Sequence, residues 1–318
     1  MRFGYFLSCE EFAPAQLLAQ ARLAEESGFE ALWISDHYHP WNDEQGQSPF
    51  VWSVIGALLQ VSRLPVTTAV TCPTVRTHPA LIAQAAATSA VLHDGRFRLG
   101  VGTGEALNEH ILGDAWPATA VRLEMLEEAV EVMRALWQGD FVSHRGRHYT
   151  VANARIYTLP EQPPPVYVSA FGPKALEVAG RIGDGYIATM PDADMVQDFR
   201  DRAGPGKPTQ GGTKVCYAAD QDTGVEIAHR LWANSGVPGE LAQVLPSPRH
   251  FEQVSQLVTR DMTRDAVACG PDPAAHVEQI RKYVDAGYDE IYVSNMGPHY
   301  QGTMRLYRDE VLPELRRA

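Results

Sequence analysis

The stretch ALWISDHYHPW, residues 31–41, joins a short apolar run directly to a cluster of ionisable and aromatic side chains. The run has no polar alternation, which is typical of a strand buried on both faces, as strands of parallel sheets are. Four candidate functional residues follow it at once: Asp36, His37, His39 and Trp41. Such groups suit either a polar cap or a catalytic corner, so the flanking sequence has to distinguish the two.

Strand-like runs of the same kind recur along the chain and are separated by helical patterns. The apolar spacing in residues 14–28, for example, predicts an amphipathic helix that ends at Gly28. Eight strands are predicted, at 2–8, 31–35, 66–72, 97–104, 166–170, 185–189, 214–220 and 290–295. This alternation predicts an α/β fold, a (β/α)8 TIM barrel rather than an open doubly wound sheet.

A single domain over residues 1–318 is predicted, because no linker divides the chain. Two segments do not fit the strand–helix repeat, and we interpret them as insertions. Residues 141–156 have the pattern of a hairpin with a turn near Gly146, and residues 236–265 are expected near the barrel mouth.

Composition limits the classes of partner. The net charge of −12 and the pI near 5.4 argue against nucleic acid or an anionic membrane as a partner. No run approaches the roughly 20 apolar residues that a membrane span requires. The first residues lack a secretory pattern, so we expect a cytoplasmic protein. The four cysteines form no CxxC pair, and we expect no metal site.

The carboxyl ends of the strands carry the chemistry of a TIM barrel, so residues that follow the predicted strands should converge on one opening. After the fourth strand, Gly102-Thr103-Gly104-Glu105 offers glycines that let a ligand approach the backbone, and a carboxyl group beside them. After the fifth strand, Gly172 and Pro173 open a predicted helix, whose N-terminus suits a phosphate group.

Each of these features also has an ordinary structural explanation. Gly-rich strand ends often only turn the chain, and proline is common at the first position of any helix. His37 suits a general base near neutral pH. Its neighbour Asp36 need not contact it, because adjacent side chains of an extended segment point in different directions. The local patterns alone leave both explanations open.

Three strings together resemble one known family. They are SDHYHPW (35–41), PTVRTHPALIAQ (73–84) and GVGTGEALNE (100–109). In this order and spacing they are similar to the F420-dependent glucose-6-phosphate dehydrogenases, which belong to the luciferase-like superfamily of TIM-barrel oxidoreductases. The similarity extends along nearly the whole chain and is poorest in residues 236–265.

The resemblance implies that coenzyme F420, a 5-deazaflavin, binds at the barrel mouth. His37 would accept the hydroxyl proton of an alcohol as hydride passes to the cofactor, Trp41 would stack near the reacting centre, and Glu105 would face the pyrimidine part of the deazaflavin. The implied cofactor contacts are Asp36, Ala69, Val70, Thr103, Gly104, Asn108, Gly172 and Pro173. The family also has a non-prolyl cis peptide at the position of Ala69-Val70.

The chain departs from the family where the substrate is held. The resemblance implies two lysines and an arginine around the substrate phosphate, and this chain has Asp192, Ala242 and Arg264 at the corresponding places. An anion in place of a cation repels a phosphate dianion. We therefore expect a neutral secondary alcohol or its ketone, for example a sugar or a terpenoid, rather than glucose 6-phosphate. Glu10 and Arg264 are the expected substrate contacts.

Alternative functions are an F420-dependent sugar-6-phosphate dehydrogenase, an FMN-dependent luciferase-like monooxygenase and a non-catalytic barrel that stores or senses a deazaflavin. His37, Trp41 and Glu105 together favour hydride transfer, because binding alone needs no base. The resemblance to this family also implies a homodimer.

Overall fold

The computed structural model describes residues 1–317. In chain order its strands are β1 (Arg2–Leu7), β2 (Leu32–Ile34), β3 (Val66–Thr68), β4 (Phe97–Val101), β5 (Val142–Arg145), β6 (Thr150–Ala154), β7 (Val166–Ser169), β8 (Gly185–Ala188), β9 (Thr209–Cys216), β10 (Ala268–Cys269) and β11 (Glu290–Asn295). Strands β1, β2, β3, β4, β7, β8, β9 and β11 pair in parallel in this order. Strand β11 also pairs with β1, which closes the sheet. The predicted (β/α)8 TIM barrel is confirmed.

The helices surround this barrel. They are α1 (Pro14–Glu26), α2 (Val51–Leu58), α3 (Pro79–Leu92), α4 (Ala106–Glu109), α5 (Thr119–Leu136), α6 (Pro173–Ile182), α7 (Ala193–Ala203), α8 (Gln221–Trp232), α9 (Leu241–Val244), α10 (Pro248–Ser255), α11 (Arg260–Ala266), α12 (Pro273–Asp285), α13 (Tyr300–Leu306) and α14 (Leu312–Leu315). Within residues 1–317, none of them combines the length and the apolar character that crossing a membrane requires.

Helix α1 shows how apolar spacing produces these elements. Leu17, Ala21 and Ala24 recur on one face and are fully buried against the barrel. The helix stops before Gly28, which has a φ of +87°. Glycine adopts this left-handed conformation without a Cβ penalty, so it ends the helix as predicted.

Several elements differ from the sequence-based expectation: β3 and β4 are shorter than predicted, β10 was not predicted, and β9 and α7 differ for identifiable reasons. Strand β9 starts at Thr209, five residues before the predicted position, and includes Gly211 and Gly212. Glycines weaken a strand pattern, but a Cβ on Gly212 would lie 2.2 Å from the Trp33 ring, so the close packing excludes a side chain. Helix α7 was not predicted, because only Val196 and Phe199 on it are buried and its apolar stripe is narrow.

The two insertions lie outside the strand–helix repeat. Strands β5 and β6 form the predicted antiparallel hairpin. Residues 236–265 contain the short helices α9 and α10 and most of α11. This segment is anchored to the barrel helices: Arg122 Nη2 donates to Gln243 Oε1 at 2.7 Å, and His229 Nε2 lies 2.8 Å from the Val258 carbonyl.

Side chains fill the N-terminal end of the barrel. The rings of Trp33 and Tyr292 stack with their centroids 4.4 Å apart. Glu290 accepts hydrogen bonds from Arg98, Gln210 and Tyr292 at 2.7–3.0 Å. At the opposite end, several residues after the strands stay partly exposed, which makes that end the open mouth.

Candidate active site

Residues from three strand ends form one hydrogen-bonded group at the C-terminal mouth. His37 follows β2, and its Nε2 lies 3.4 Å from Oε1 of Glu10, which follows β1. Asn108 on α4, after β4, places Nδ2 3.1 Å from His37 Nδ1 and 3.4 Å from Glu105 Oε2. His37 and Glu105, which are far apart in the sequence, therefore lie at the same rim of the barrel.

The orientation of Asn108 is determined by its backbone partners. Its Oδ1 accepts hydrogen bonds from the backbone N–H groups of Tyr38 at 2.9 Å and His39 at 3.1 Å. The amide oxygen must face these donors, so the amide nitrogen faces His37. The His39 ring adds a second connection through Nδ1, 2.9 Å from the Leu107 carbonyl. The loop after β2 is thus fastened to α4.

The proton positions on His37 follow from two competing contacts of Nδ1. Nδ1 lies 3.1 Å from the His39 carbonyl, which requires a proton on Nδ1, and 3.1 Å from the Asn108 amide, which requires a lone pair there. A neutral ring satisfies one of the two. With the proton on Nδ1, Nε2 has a free lone pair and can act as a base. After Nε2 takes up a proton, the imidazolium faces the Glu10 carboxylate.

Glu10 is buried and has its own donors. Its Oε2 accepts hydrogen bonds from the hydroxyl groups of Ser8 at 2.8 Å and Ser35 at 2.7 Å. Burial alone would raise the pKa of Glu10, but the charge of His37 and the hydrogen bond from Ser35 lower it, and the net pKa is below its ordinary value. Glu10 therefore stays ionised beside His37.

Asp36 contacts an arginine that the sequence analysis missed. Its Oδ1 accepts from Arg76 Nη2 at 2.9 Å, and its Oδ2 accepts from Thr71 Oγ1 at 2.8 Å. The Arg76 backbone N–H also donates to Glu109 Oε2 at 2.7 Å. Arg76 thus balances two buried carboxylates. A rim with three predicted carboxylates requires a nearby cation, and this requirement was the available signal for Arg76.

Trp41 begins an aromatic wall on one side of the mouth. Its ring centroid lies 5.0 Å from that of His37 and 4.9 Å from that of Phe251 on α10. Gln45 holds the Trp41 loop, because it accepts from the Trp41 backbone N–H at 2.8 Å and donates to the Leu231 carbonyl at 2.9 Å. The wall therefore combines the loop after β2 with the 236–265 segment.

The glycines after β4 are required by close packing. A Cβ on Gly102 would lie 2.8 Å from Val70 Cγ2, and a Cβ on Gly104, whose φ is +76°, would lie 2.5 Å from Cys72 Sγ. The Ala69–Val70 peptide bond is cis, as expected. Both of its residues are partly exposed and pack on the buried aromatic layer of the barrel. Thr103, between the glycines, is partly exposed.

Three predicted contact residues, Gly172, Pro173 and Arg264, lie apart from the His37 group. Gly172 caps α6, Pro173 is its first residue, and nothing lies within 4 Å of a Cβ placed on Gly172. Arg264, on α11, pairs with Asp222 at 2.7 Å on the surface. Their roles toward cofactor and substrate stay predictions. Within residues 1–317, no group of three or more His, Cys, Asp or Glu residues is arranged to hold a metal ion.

Comparisons with known proteins agree with the resemblance described above. A family model for luciferase-like monooxygenases matches residues 1–290. An F420-dependent glucose-6-phosphate dehydrogenase of Microbacterium testaceum (strain StLB037) is 37% identical over 100% of this chain and 98% of its own length. A counterpart from Nakamurella multipartita is 35% identical over 99% and 97% of the two chains.

Solved structures show the same fold over the full length. An F420-dependent secondary alcohol dehydrogenase, in complex with an F420–acetone adduct, superposes with a TM-score of 0.91 at 32% identity, covering 99% of both chains. The coenzyme F420-dependent tetrahydromethanopterin reductase from Methanopyrus kandleri, at 20% identity, shares the fold, with a TM-score of 0.77 over 98% of this chain and 99% of its own. The chain therefore belongs to the luciferase-like family, together with the F420-dependent glucose-6-phosphate dehydrogenases.

Proposed function

We propose that the protein is an F420-dependent dehydrogenase that transfers hydride between a secondary alcohol, or its ketone, and the deazaflavin. The observation that carries the proposal is the pairing of His37 Nε2 with Glu10 at the same rim as Glu105. A base backed by a carboxylate can take up a proton and hold the resulting charge. The names of the similar proteins support F420 as the cofactor.

The mouth has the features that a flat cofactor needs. Ala69, Val70, Thr103 and Glu105 are partly exposed there, above a fully buried aromatic layer. The exposed N-terminus of α6, a helix of 10 residues, is suited to the phosphate of the cofactor tail. When bound, F420 supplies the carbon centre that accepts or donates hydride. Asp36 would act on the cofactor together with Arg76 and Thr71, which hold its carboxylate.

His37 carries the proton in this proposal. As hydride leaves the carbinol carbon, the hydroxyl proton passes to Nε2 and the carbonyl double bond forms. In the tautomer whose Nδ1–H donates to the His39 carbonyl, Nε2 has a free lone pair and can accept this proton. The Glu10 carboxylate then stabilises the imidazolium, because opposite charges attract strongly where water is largely excluded. Ketone reduction uses the same groups in reverse.

Glu105 acts at the cofactor side of the same group. Hydride transfer changes the charge on the deazaflavin ring, and a carboxyl group close to it can exchange a proton or orient the ring. Asn108 is within hydrogen-bond reach of both Glu105 and His37, so it keeps the two groups apart and oriented. Two groups in different environments can then perform opposite proton transfers.

The substrate is proposed to lack a phosphate group. Asp192 accepts from the Met195 N–H at 3.0 Å as the N-cap of α7, and Asp194 adds a second carboxylate in the first turn. The guanidinium of Arg264 is paired with Asp222. These charges disfavour a phosphate dianion. The partly exposed Trp41 ring, packed on the buried Phe251 side chain, suits the apolar part of an alcohol.

A second candidate is an F420-dependent sugar-6-phosphate dehydrogenase, because the relatives with 34–37% identity have that name. The two functions differ in substrate and share the cofactor and the base. The acidic cap of α7 favours the alcohol.

The test is a spectroscopic assay with oxidised F420. The purified protein is mixed with F420 and either 2-propanol or glucose 6-phosphate, and the loss of visible F420 absorbance is followed. We expect bleaching with the alcohol and a kcat/KM for the sugar phosphate lower by about 100-fold or more. Efficient turnover of millimolar glucose 6-phosphate would contradict the proposal that the substrate lacks a phosphate group. Oxygen-dependent product formation with FMN, without bleaching of F420, would contradict the proposed F420-dependent dehydrogenase activity.

A further inference from the structure

Lys214 lies in the barrel mouth, and the proposed reaction gives it no role. It stands on β9, close to the C-terminal end of the strand. Its Nζ is 4.4 Å from the centroid of the Trp232 ring and 5.7 Å from that of Phe6. Two aromatic faces therefore hold the ammonium group in place. The other three lysines of the chain, at positions 174, 207 and 282, lie outside the barrel strands.

Two carboxyl groups, those of Glu10 and Glu11, lie near this ammonium group. Glu11 accepts from Trp232 Nε1 at 2.7 Å and from the Gly297 N–H at 2.5 Å. Burial raises the pKa of Glu11 to about 7, although these two hydrogen bonds oppose the shift. Burial also lowers the pKa of Lys214, while the charges of Glu10 and Glu11 oppose that change. The net pKa of Lys214 is below its ordinary value, and the ionised Glu10 is the charge that most opposes this change.

The ammonium group has unused hydrogen-bonding capacity. An ammonium group has three N–H donors, yet within residues 1–317 Lys214 Nζ makes no hydrogen bond and no ion pair closer than 4 Å. Lys214 is also partly exposed, although its surroundings are deep in the protein, so solvent reaches it through the mouth. A small molecule in the mouth can reach it by the same route.

We propose that Lys214 donates a hydrogen bond to a second oxygen of the substrate, a hydroxyl group on the carbon next to the reacting carbinol. The proposal rests on the proposed function. Lys214 lies over the Trp232 ring, whose N–H donates to Glu11, and Glu11 directly follows Glu10, the partner of His37. The substrate class is then a neutral vicinal diol or polyol, or the matching hydroxyketone. Lys214 would bind one oxygen of it while His37 receives the proton of the other.

The surrounding charges select a hydroxyl group over an anion. A hydroxyl oxygen accepts from the ammonium group and its proton donates to Glu10 or Glu11, so every partner gains a hydrogen bond. A carboxylate or phosphate would attract Lys214 but would face the ionised Glu10 carboxylate, and like charges repel. A simple alcohol has no second oxygen for the ammonium group and would displace the solvent that reaches it, so its binding costs Lys214 hydrogen-bond partners.

The test uses two substrates that differ by one hydroxyl group, 2-butanol and meso-2,3-butanediol, with oxidised F420. For the unaltered protein we expect kcat/KM to favour the diol by about ten- to a hundredfold, since hydrogen bonds to charged groups have this effect. In Lys214→Met this ratio should fall to about one, through a higher KM for the diol. Lys282→Met, on the exposed face of α12, is the matched control and should keep the ratio.

A second measurement does not depend on turnover. In protein labelled with 13C and 15N at its four lysines, the Nζ resonance of Lys214, assigned with Lys214→Met, should shift with the diol and not with 2-butanol. No shift, or equal shifts with both, overturns the proposal. Turnover of both alcohols with a ratio near one overturns the role of Lys214 and leaves the dehydrogenase intact. A diol-specific shift without any F420 bleaching supports the binding site and overturns the proposed reaction.

Discussion

The two ends of the barrel use the same kinds of side chain in opposite ways. At the N-terminal end, Glu290 is surrounded by Arg2, Arg98, Gln210 and Tyr292, and both of its oxygens have partners. At the C-terminal end, Asp36 and Glu11 also have partners on both oxygens, but His37, Glu105 and Lys214 keep unused hydrogen-bonding capacity. Lys214 has none of its three donors used within residues 1–317.

The difference lies in how fully each polar group is satisfied. A buried carboxylate with a complete set of donors stabilises the fold and has no capacity left for a ligand. A group that is held by aromatic packing, or that shares a nitrogen between two contacts as His37 does, can change partners when a substrate arrives. Polar groups whose hydrogen-bonding capacity is only partly used therefore mark the reactive end of the barrel. Three predictions test this difference between the two ends.

The largest effect is expected for the base at the mouth. His37→Ala removes the proton acceptor, and kcat/KM for a secondary alcohol should fall by about 10³-fold, within the range that general bases contribute. Binding of F420, measured by fluorescence, should change little, because Asp36 and Glu105 remain. The exposed His250→Ala serves as the control. Unchanged turnover in His37→Ala would show that His37 is not the general base.

An effect of similar size, on stability alone, is expected at the other end. Glu290→Gln keeps the shape but leaves Arg98 without its buried counter-charge. The free energy of unfolding should fall by about 4 kcal/mol, as when one member of a buried ion pair is removed. Urea unfolding measures this loss, and the kcat of the folded fraction should be retained. A stable variant with impaired turnover would show that the two ends are not independent.

The smallest effect concerns the pH dependence of stability. The Glu11 carboxyl keeps its proton up to about pH 7 in the folded state and loses it near pH 4.5 when unfolded, so the folded state loses stability as pH rises between these values. Glu11→Gln should reduce this loss by about 3 kcal/mol between pH 5 and pH 8.

Urea midpoints at the two pH values provide the measurement for Glu11→Gln. Glu26→Gln, on the exposed surface of α1, should retain the pH profile of the unaltered protein. A profile that is identical in all three proteins would mean that Glu11 titrates as an ordinary surface carboxyl.

Much of the fold was predictable because it depends on local pattern. Each barrel strand is a short apolar run, and the placement of His37 and Glu105 after two such runs was enough to bring them to one rim. Helix α7 and the start of β9 could not be predicted, because the reasons for them lie elsewhere. The glycines of β9 are required by the Trp33 ring, which is remote in sequence.

The functional contacts were less predictable than the strands. Arg76 pairs with Asp36, which lies 40 residues earlier in the sequence. Lys214 can be recognised as a candidate binding residue only from its position beside Trp232 and Glu11 in the folded chain. The state of the His37 ring depends on two competing contacts of Nδ1, with the His39 carbonyl and with the Asn108 amide. None of these relations has a sequence period or a fixed spacing. They follow from closure of the barrel.

The anchoring of residues 236–265 has a consequence for how such enzymes diversify. Phe251, from this one continuous piece of chain, is fully buried and supports the Trp41 ring at the mouth, while the proton-handling residues come from strand ends elsewhere. Replacement of residues 236–265 by a different segment that keeps Gln243 and its contact with Arg122 would alter which substrates bind. The reaction steps would stay the same. Substrate selectivity can then evolve by replacement of this one segment.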